Sequence, residues 1–224
     1  MTFSITARCA QTGQLGIALS SSSIAVGARC PWLQAKIGAV SSQNITLPSL
    51  GLRGLVFLKN GDSVDVALQK ALAEDPFADY RQIAMINAEG QTASFSGKQT
   101  LGIYHVVSGD NCIGAGNMLA NTAVIDAMVQ AFENSDGLLA GRLIKALQAA
   151  INAGGEAGPV HSAAVKVVGD QAWPMVDLRV DWHDDAPISV LQKLWLDYAP
   201  QMDAYMVRAL DPRQAPSYGV PGDE

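Results

Sequence analysis

Residues 2–23 read TFSITARCAQTGQLGIALSSSS. Phe3, Ile5 and Ala7 alternate with Thr2, Ser4, Thr6 and Arg8, the two-residue period of a strand, and Gly13 supplies the positive φ that a tight turn needs. The chain is therefore expected to open with a β-hairpin. A turn centred near Thr12 sets Thr2 opposite Ser22 or Ser23, so a hydroxyl at the start of the chain faces a run of serines. Met1 precedes a small residue, the setting in which an initiator methionine is commonly removed. Its loss leaves Thr2 with a nucleophilic hydroxyl and a free amine that can act as its base near neutral pH. While Met1 is in place, the Thr2 nitrogen is an amide and cannot take that role.

Outward from the hairpin, residues 24–32, with Gly27 and Pro31, read as a connecting loop. A β-prone run over 35–44 ends at Gln43 and Asn44, where polar side chains can look into a cleft. Pro48, Gly51 and Gly54 punctuate the segment that follows. Ser63 caps a helix with apolar residues recurring at three and four, and Pro76 stops it. Residues 81–97 read as a hairpin turning at Asn87 to Gly90, and runs over 99–109 and 111–117 extend what reads as a second sheet. Two amphipathic helices come next. The first, over 121–133, puts Val124, Ile125, Met128, Val129 and Phe132 on one face, and the second ends at Gly154 and Gly155. Strands over 160–169 and 176–183, the latter with Asp177, Arg179, Asp181 and His183 on one face, lead to a closing helix over 187–198. Residues 1–200 are expected to form one domain, and 201–224 a C-terminal extension: a short helix, then a flexible tail or an arm laid on a neighbour.

Composition narrows the function. A 224-residue chain that is 49% hydrophobic can bury a sizeable core. A net charge of −6 without clustered Lys and Arg argues against nucleic acid as a ligand. No run approaches the roughly 18 apolar residues of a membrane helix, and no basic-then-apolar leader is visible, so a cytoplasmic protein without a membrane partner is expected. Cys9, Cys30 and Cys112 are odd in number and widely spaced, which suits buried thiols better than disulfides or zinc. No cofactor and no metal is expected.

Strand pairs at the start and in the middle, with helix pairs between them, do not alternate as a parallel doubly wound sheet does. An α+β fold is expected instead: a four-layer α-β-β-α sandwich, two antiparallel sheets each covered by helices. The ordered set SITAR (4–8), GQLGIALS (13–20), AVGARCPW (25–32), VSSQ (40–43), Pro48 with Gly51 and Gly54, RQI (81–83), Gly90 with FSG (95–97), GNML (116–119), VIDAM (124–128) and VDLRVDWH (176–183) resembles a bacterial family, domain of unknown function 1028, over most of residues 2–198. That family in turn resembles the N-terminal nucleophile (Ntn) hydrolases, which share the four-layer sandwich; fold carries over more safely than activity.

The resemblance implies a hydrolase of a small amide, ureide or other non-peptide C–N bond, with Thr2 as nucleophile after Met1 removal and Ser21, Gln43 or Asn117 helping to hold the oxyanion. Ser22, Asn44, His161, Arg179 and Asp181 are the expected substrate contacts. The family pattern has Lys at Ser22, Gln at Ala115, and Asp and Arg near Glu156 and Gly158–Pro159, so a different substrate is one consequence. A non-catalytic relative that binds a small metabolite, or an oligomeric scaffold, is the competing reading; a homo-oligomer is expected in either case. Other chemistries are weaker. His161 and Ser162 point to opposite faces of a strand, which argues against a serine triad. His183 with Asp181 or Asp184 suits a solvent-facing strand end better than a metal site, and Gly114, Gly116 and Asn117 lack a phosphate-loop lysine.

Overall fold

The computed structural model describes residues 1–222; residues 223–224, the end of the expected tail, lie outside it. The chain opens with the hairpin β1 (Thr2–Arg8) and β2 (Leu15–Ser21). A one-turn helix α1 (Val26–Arg29) and a short strand β3 (Pro31–Gln34) lead to β4 (Gly38–Asn44). Helices α2 (Pro48–Lys59) and α3 (Val64–Ala73) precede β5 (Arg81–Asn87) and β6 (Thr92–Ser96). Then come β7 (Ile103–Gly109), β8 (Cys112–Leu119), α4 (Ala123–Glu133) and α5 (Leu139–Asn152). Strands β9 (Ser162–Val168) and β10 (Pro174–Val180) and helices α6 (Pro187–Tyr198) and α7 (Met202–Leu210) complete the described chain.

The strands form two antiparallel sheets, one of six strands in the order β10-β9-β2-β1-β8-β7 and one of four in the order β3-β4-β5-β6. Alternation decides what each face meets. On β1, Phe3, Ile5 and Ala7 join a core with Met128, Phe132, Leu143 and Leu147 of α4 and α5. On β4 and β5, Val40, Ile83 and Met85 pack against Leu50, Leu55, Ala67 and Leu68 of α2 and α3. The remaining faces meet each other, with Leu15, Ile17, Leu19, Ala39 and Ile86 forming an apolar layer between the sheets. This is the four-layer α-β-β-α sandwich expected from the order of elements.

Four details differ from the sequence reading. The hairpin register puts Phe3 opposite Ser20 and Arg8 opposite Leu15, so Thr2 aligns with Ser21, not with Ser22 or Ser23. The six-residue connection from Cys9 to Gln14, closed by Cys9 N–H to Gln14 O at 2.8 Å, centres the turn between Gln11 and Thr12. Strands β7 and β8 do not extend the second sheet; β8 pairs with β1 in the first. The connecting loop over 24–32 contains α1 and the start of β3. Residues 48–59 form α2, where punctuation was expected: Pro48 sits in the first helical turn, where its missing N–H costs nothing, and Gly51 marks a close approach. A Cβ on Gly51 would lie 2.1 Å from Trp32 Cδ1, so this glycine lets α2 settle onto β3.

The extension packs as a short helix. Met202 is buried, and Arg208 sits 3.6 Å over the Tyr218 ring while donating to Pro216 O at 2.8 Å, which folds the following segment back on α7. Among the described residues, no helix is long and apolar enough to cross a membrane.

Candidate functional site

Antiparallel pairing aligns four side chains across one end of the larger sheet. Thr2 pairs with Asn117 of β8, and Ser21 of β2 pairs with Ser162 of β9, so Asn117, Thr2, Ser21 and Ser162 form a row facing the smaller sheet. Thr2 is 5% exposed, and the other three are fully buried. The Thr2 and Ser21 hydroxyl oxygens lie 3.4 Å apart. Both hydroxyls donate to the same acceptor, the Met1 carbonyl oxygen. Ser21 Oγ itself accepts from Ser23 N–H at 3.0 Å, which fixes the direction of its proton. Ser162 Oγ donates to Ser23 O at 2.6 Å and so holds the serine run in its bend.

Facing this row, a buried amide network has its orientation set by one backbone carbonyl. Gly116 O can only accept, so the Gln82 NH2 turns to it at 3.0 Å and also donates to Ser96 Oγ at 3.1 Å. Gln82 Oε1 therefore faces the other way and receives Gln43 Nε2 at 2.8 Å and Asn117 Nδ2 at 3.0 Å. Gln43 Oε1 then accepts from Ser4 Oγ at 2.7 Å and Ser41 Oγ at 3.1 Å. Asn117 Oδ1 is left buried with no hydrogen-bond partner among the described residues. Of the three residues expected around an oxyanion, Gln43 and Asn117 thus turn their NH2 groups to Gln82, and Ser21 is the one that donates to a carbonyl oxygen.

The start of β1 is fixed by another segment. Gly154 and Gly155 adopt φ of +125° and +62°, backbone that side chains rarely allow, and bring Gly155–Ala157 alongside β8. Ala157 N–H donates to Met118 O at 2.9 Å, Glu156 bridges Leu119, and Ala120 N–H donates to Gly155 O at 3.0 Å. Since Asn117 already pairs with Thr2, this segment occupies the lane into which β1 would extend backwards, and Met1 turns out of the sheet. Glu156 is 4% exposed, and its two carboxylate oxygens accept from Ser22 N–H at 3.3 and 3.2 Å. Burial pushes its carboxyl up to about 7, against the chain's terminal ammonium and the Ser22 hydrogen bonds, which pull it down.

The other expected contacts are dispersed. Ser22 reaches the site through its backbone, as the donor to Glu156. His161 lies beside it, with its N–H on Ser21 O at 2.8 Å and its ring stacked on Trp182 at 4.4 Å. Asn44 staples a loop instead: its amide donates to Tyr80 O at 2.7 Å and accepts from Leu101 N–H at 3.2 Å. Arg179 and Asp181 pair with each other at 2.7 Å, β10 having ended at Val180. His183 Nδ1 accepts from Ala186 N–H at 3.1 Å, just ahead of α6. Gln82 was not singled out from the sequence, where Ser162 appears only as the neighbour of His161 and Glu156 only as a departure from the family pattern. A polar residue next to an otherwise apolar strand run, as in RQIAMIN, is the signal that could have raised Gln82.

A four-layer sandwich whose leading strand carries a buried hydroxyl row at its first residue is the class that fold and site define. The model of a family of unknown function, DUF1028, matches residues 2–191, and the chain belongs to that family. Among solved structures, protein SPO2555 from Silicibacter pomeroyi, described as a DUF1028 protein, is 33% identical with a TM-score of 0.83, covering 88% of this chain and 89% of that one. Anbu (ancestral beta-subunit) from Yersinia bercovieri is 10% identical with a TM-score of 0.39, covering 91% of this chain and 97% of that one. No curated protein matches the sequence.

Proposed function

We propose that the protein is a hydrolase of the N-terminal nucleophile type, acting on a small amide, ureide or other non-peptide C–N bond, with Thr2 as nucleophile once Met1 is removed. The observation that carries this reading is the shared acceptor: the Thr2 and Ser21 hydroxyls converge on one carbonyl oxygen, that of Met1. A substrate carbonyl whose oxygen lies near that acceptor position, its carbon displaced from the freed amine, has the Thr2 hydroxyl within reach for attack and Ser21 as a fixed donor for the developing oxyanion. The freed Thr2 amine takes the proton from Oγ as Oγ bonds to the carbonyl carbon. The C–N bond then breaks, the ammonium returns that proton to the leaving nitrogen, and an ester on Thr2 remains. Water, deprotonated by the same amine, cleaves the ester and regenerates Thr2. Asn117 Oδ1, buried in the register position beside Thr2 with no partner among the described residues, accepts an amine N–H and turns the lone pair toward Oγ. Gln43 and Gln82 position Asn117 and do not touch the substrate.

The test starts with the intact mass of protein from its native host, which should lack the methionine. On a panel of amides, ureides and acylated amino acids, Thr2→Ala should lower kcat by about 10⁴ or more. A retained Met1, or undiminished turnover in Thr2→Ala, removes the reading.

A further inference from the structure

Glu156 is a carboxyl group in a place that disfavours its anion. The residue is 4% exposed, and among the described residues no Lys, Arg or His forms an ion pair with it. Its hydrogen bonding comes from Ser22 alone among the described residues, with the Ser22 N–H shared between the two oxygens at 3.3 and 3.2 Å. A carboxylate removed from water without a cation is costly, and the cost is relieved when a ligand brings one. The residue beside it shows which kind of ligand fits. Met1 sets its carbonyl on the Thr2 and Ser21 hydroxyls. Its methyl end lies toward Gly158, 3.7 Å from where a Cβ there would be, so the loop leaves room for an apolar side chain. Its ammonium favours the Glu156 carboxylate from a distance but makes no ion pair with it among the described residues, so the carboxylate has no direct cation partner there. Ser21 and Ser22, adjacent in sequence, thus hold the carbonyl end and the carboxylate respectively.

We propose that the space held by Met1 is an acyl subsite for an uncapped α-aminoacyl group, such as an amino-acid amide with an apolar side chain, whose ammonium is received by Glu156. The subsite rests on the reading of Thr2 as the acyl acceptor, and it selects the substrate class for that chemistry. An N-acylated amino acid carries a neutral amide where the ammonium belongs, leaves the carboxylate unpaired, and is rejected.

Binding can be separated from turnover. In Thr2→Ala protein whose loss of Met1 is verified by intact mass, the nucleophile is gone and Ser21 and Glu156 remain. Titration calorimetry with L-methioninamide and N-acetyl-L-methioninamide should show at least about tenfold weaker binding of the acetylated compound. Introducing Glu156→Gln on that background should remove most of the difference. Equal affinity for the two compounds, no heat with L-methioninamide at millimolar concentration, or a preference that survives Glu156→Gln overturns the subsite. The comparison of the two amides holds even if Glu156→Gln fails to fold. Failure of the Thr2 chemistry would show instead in the mass and turnover measurements on the parent, so the two ideas fall separately.

Discussion

Glu156 also makes a claim on stability, because its carboxyl is pushed up to about 7 by burial. In the unfolded chain it titrates near the ordinary carboxylate value of about 4.3. Between those two values the folded state holds a proton that the unfolded state has released, so stability falls as pH rises through the window and stays lower above it. The loss amounts to about 3–4 kcal/mol at most. Asp75 works in the opposite sense and in another range. Burial alone would raise it, but Arg81 Nε at 2.8 Å and Phe77 N–H at 3.0 Å hold it below the usual carboxylate range, so its contribution is lost only in acid. Urea midpoints of the Met1-bearing protein at pH 5.5 and pH 8.5 should therefore show the lower stability at the higher pH, and Glu156→Gln should flatten the difference. An unchanged slope in that variant would mean that other groups carry it. None of this was visible in the residue letter: Glu156 sits in a glycine-rich turn, and only the lane it occupies beside β8 makes it a buried group.

Elements were legible where periodicity was undisturbed. The hairpin, α3, α4, α5, β9 and α6 follow from alternation or from apolar spacing, since each has one face in a core. Helix α2 was not legible, because Pro48, Gly51 and Gly54 look like breaks when read along the chain. In space Gly51 and Gly54 are buried contact points, and a glycine kept for close approach is indistinguishable in sequence from one kept for a turn. The site's hydroxyls were read correctly as a cluster, but a one-residue offset in the turn changed which serine meets Thr2. If Gly51 is there for the approach of α2 to β3, Gly51→Ala should cost about 1–3 kcal/mol in chemical denaturation, despite the higher helix propensity of alanine. Trp32 cannot easily yield, since its Nε1 donates to Arg29 O at 3.1 Å. A neutral or stabilising substitution would show that the ring has somewhere else to go.

At the scale of the molecule, the sequence disclosed which faces of the strands are buried but not which strands are neighbours, and that limit explains the misplacement of β7 and β8. Sequential runs are expected to pair with each other, yet β8 crosses to β1, where Ile113 and Ala115 continue the layer between the sheets and Asn117 completes the hydroxyl row. That layer has two characters: it is apolar around Leu15, Ile17, Leu19 and Ile86, and polar where Thr2 lies. Where two sheets meet through polar side chains, each donor or acceptor left without a match is costly, so the matched ones hold the layers together. Gln82 supplies most of those matches, joining β4 through Gln43, β6 through Ser96, and β8 of the opposite sheet through both Gly116 and Asn117. Gln82→Leu keeps the volume roughly and leaves a buried carbonyl and two buried amides short of partners, so it should destabilise by about 3 kcal/mol or more. Ile83→Val, one residue along the same strand but facing the helices, should cost only about 0.5–1.5 kcal/mol. Urea denaturation of the two variants side by side tests the idea. If Gln82→Leu costs no more than Ile83→Val, the polar end of the sandwich is held by something other than this network, and the orientation it imposes on Asn117 loses its basis.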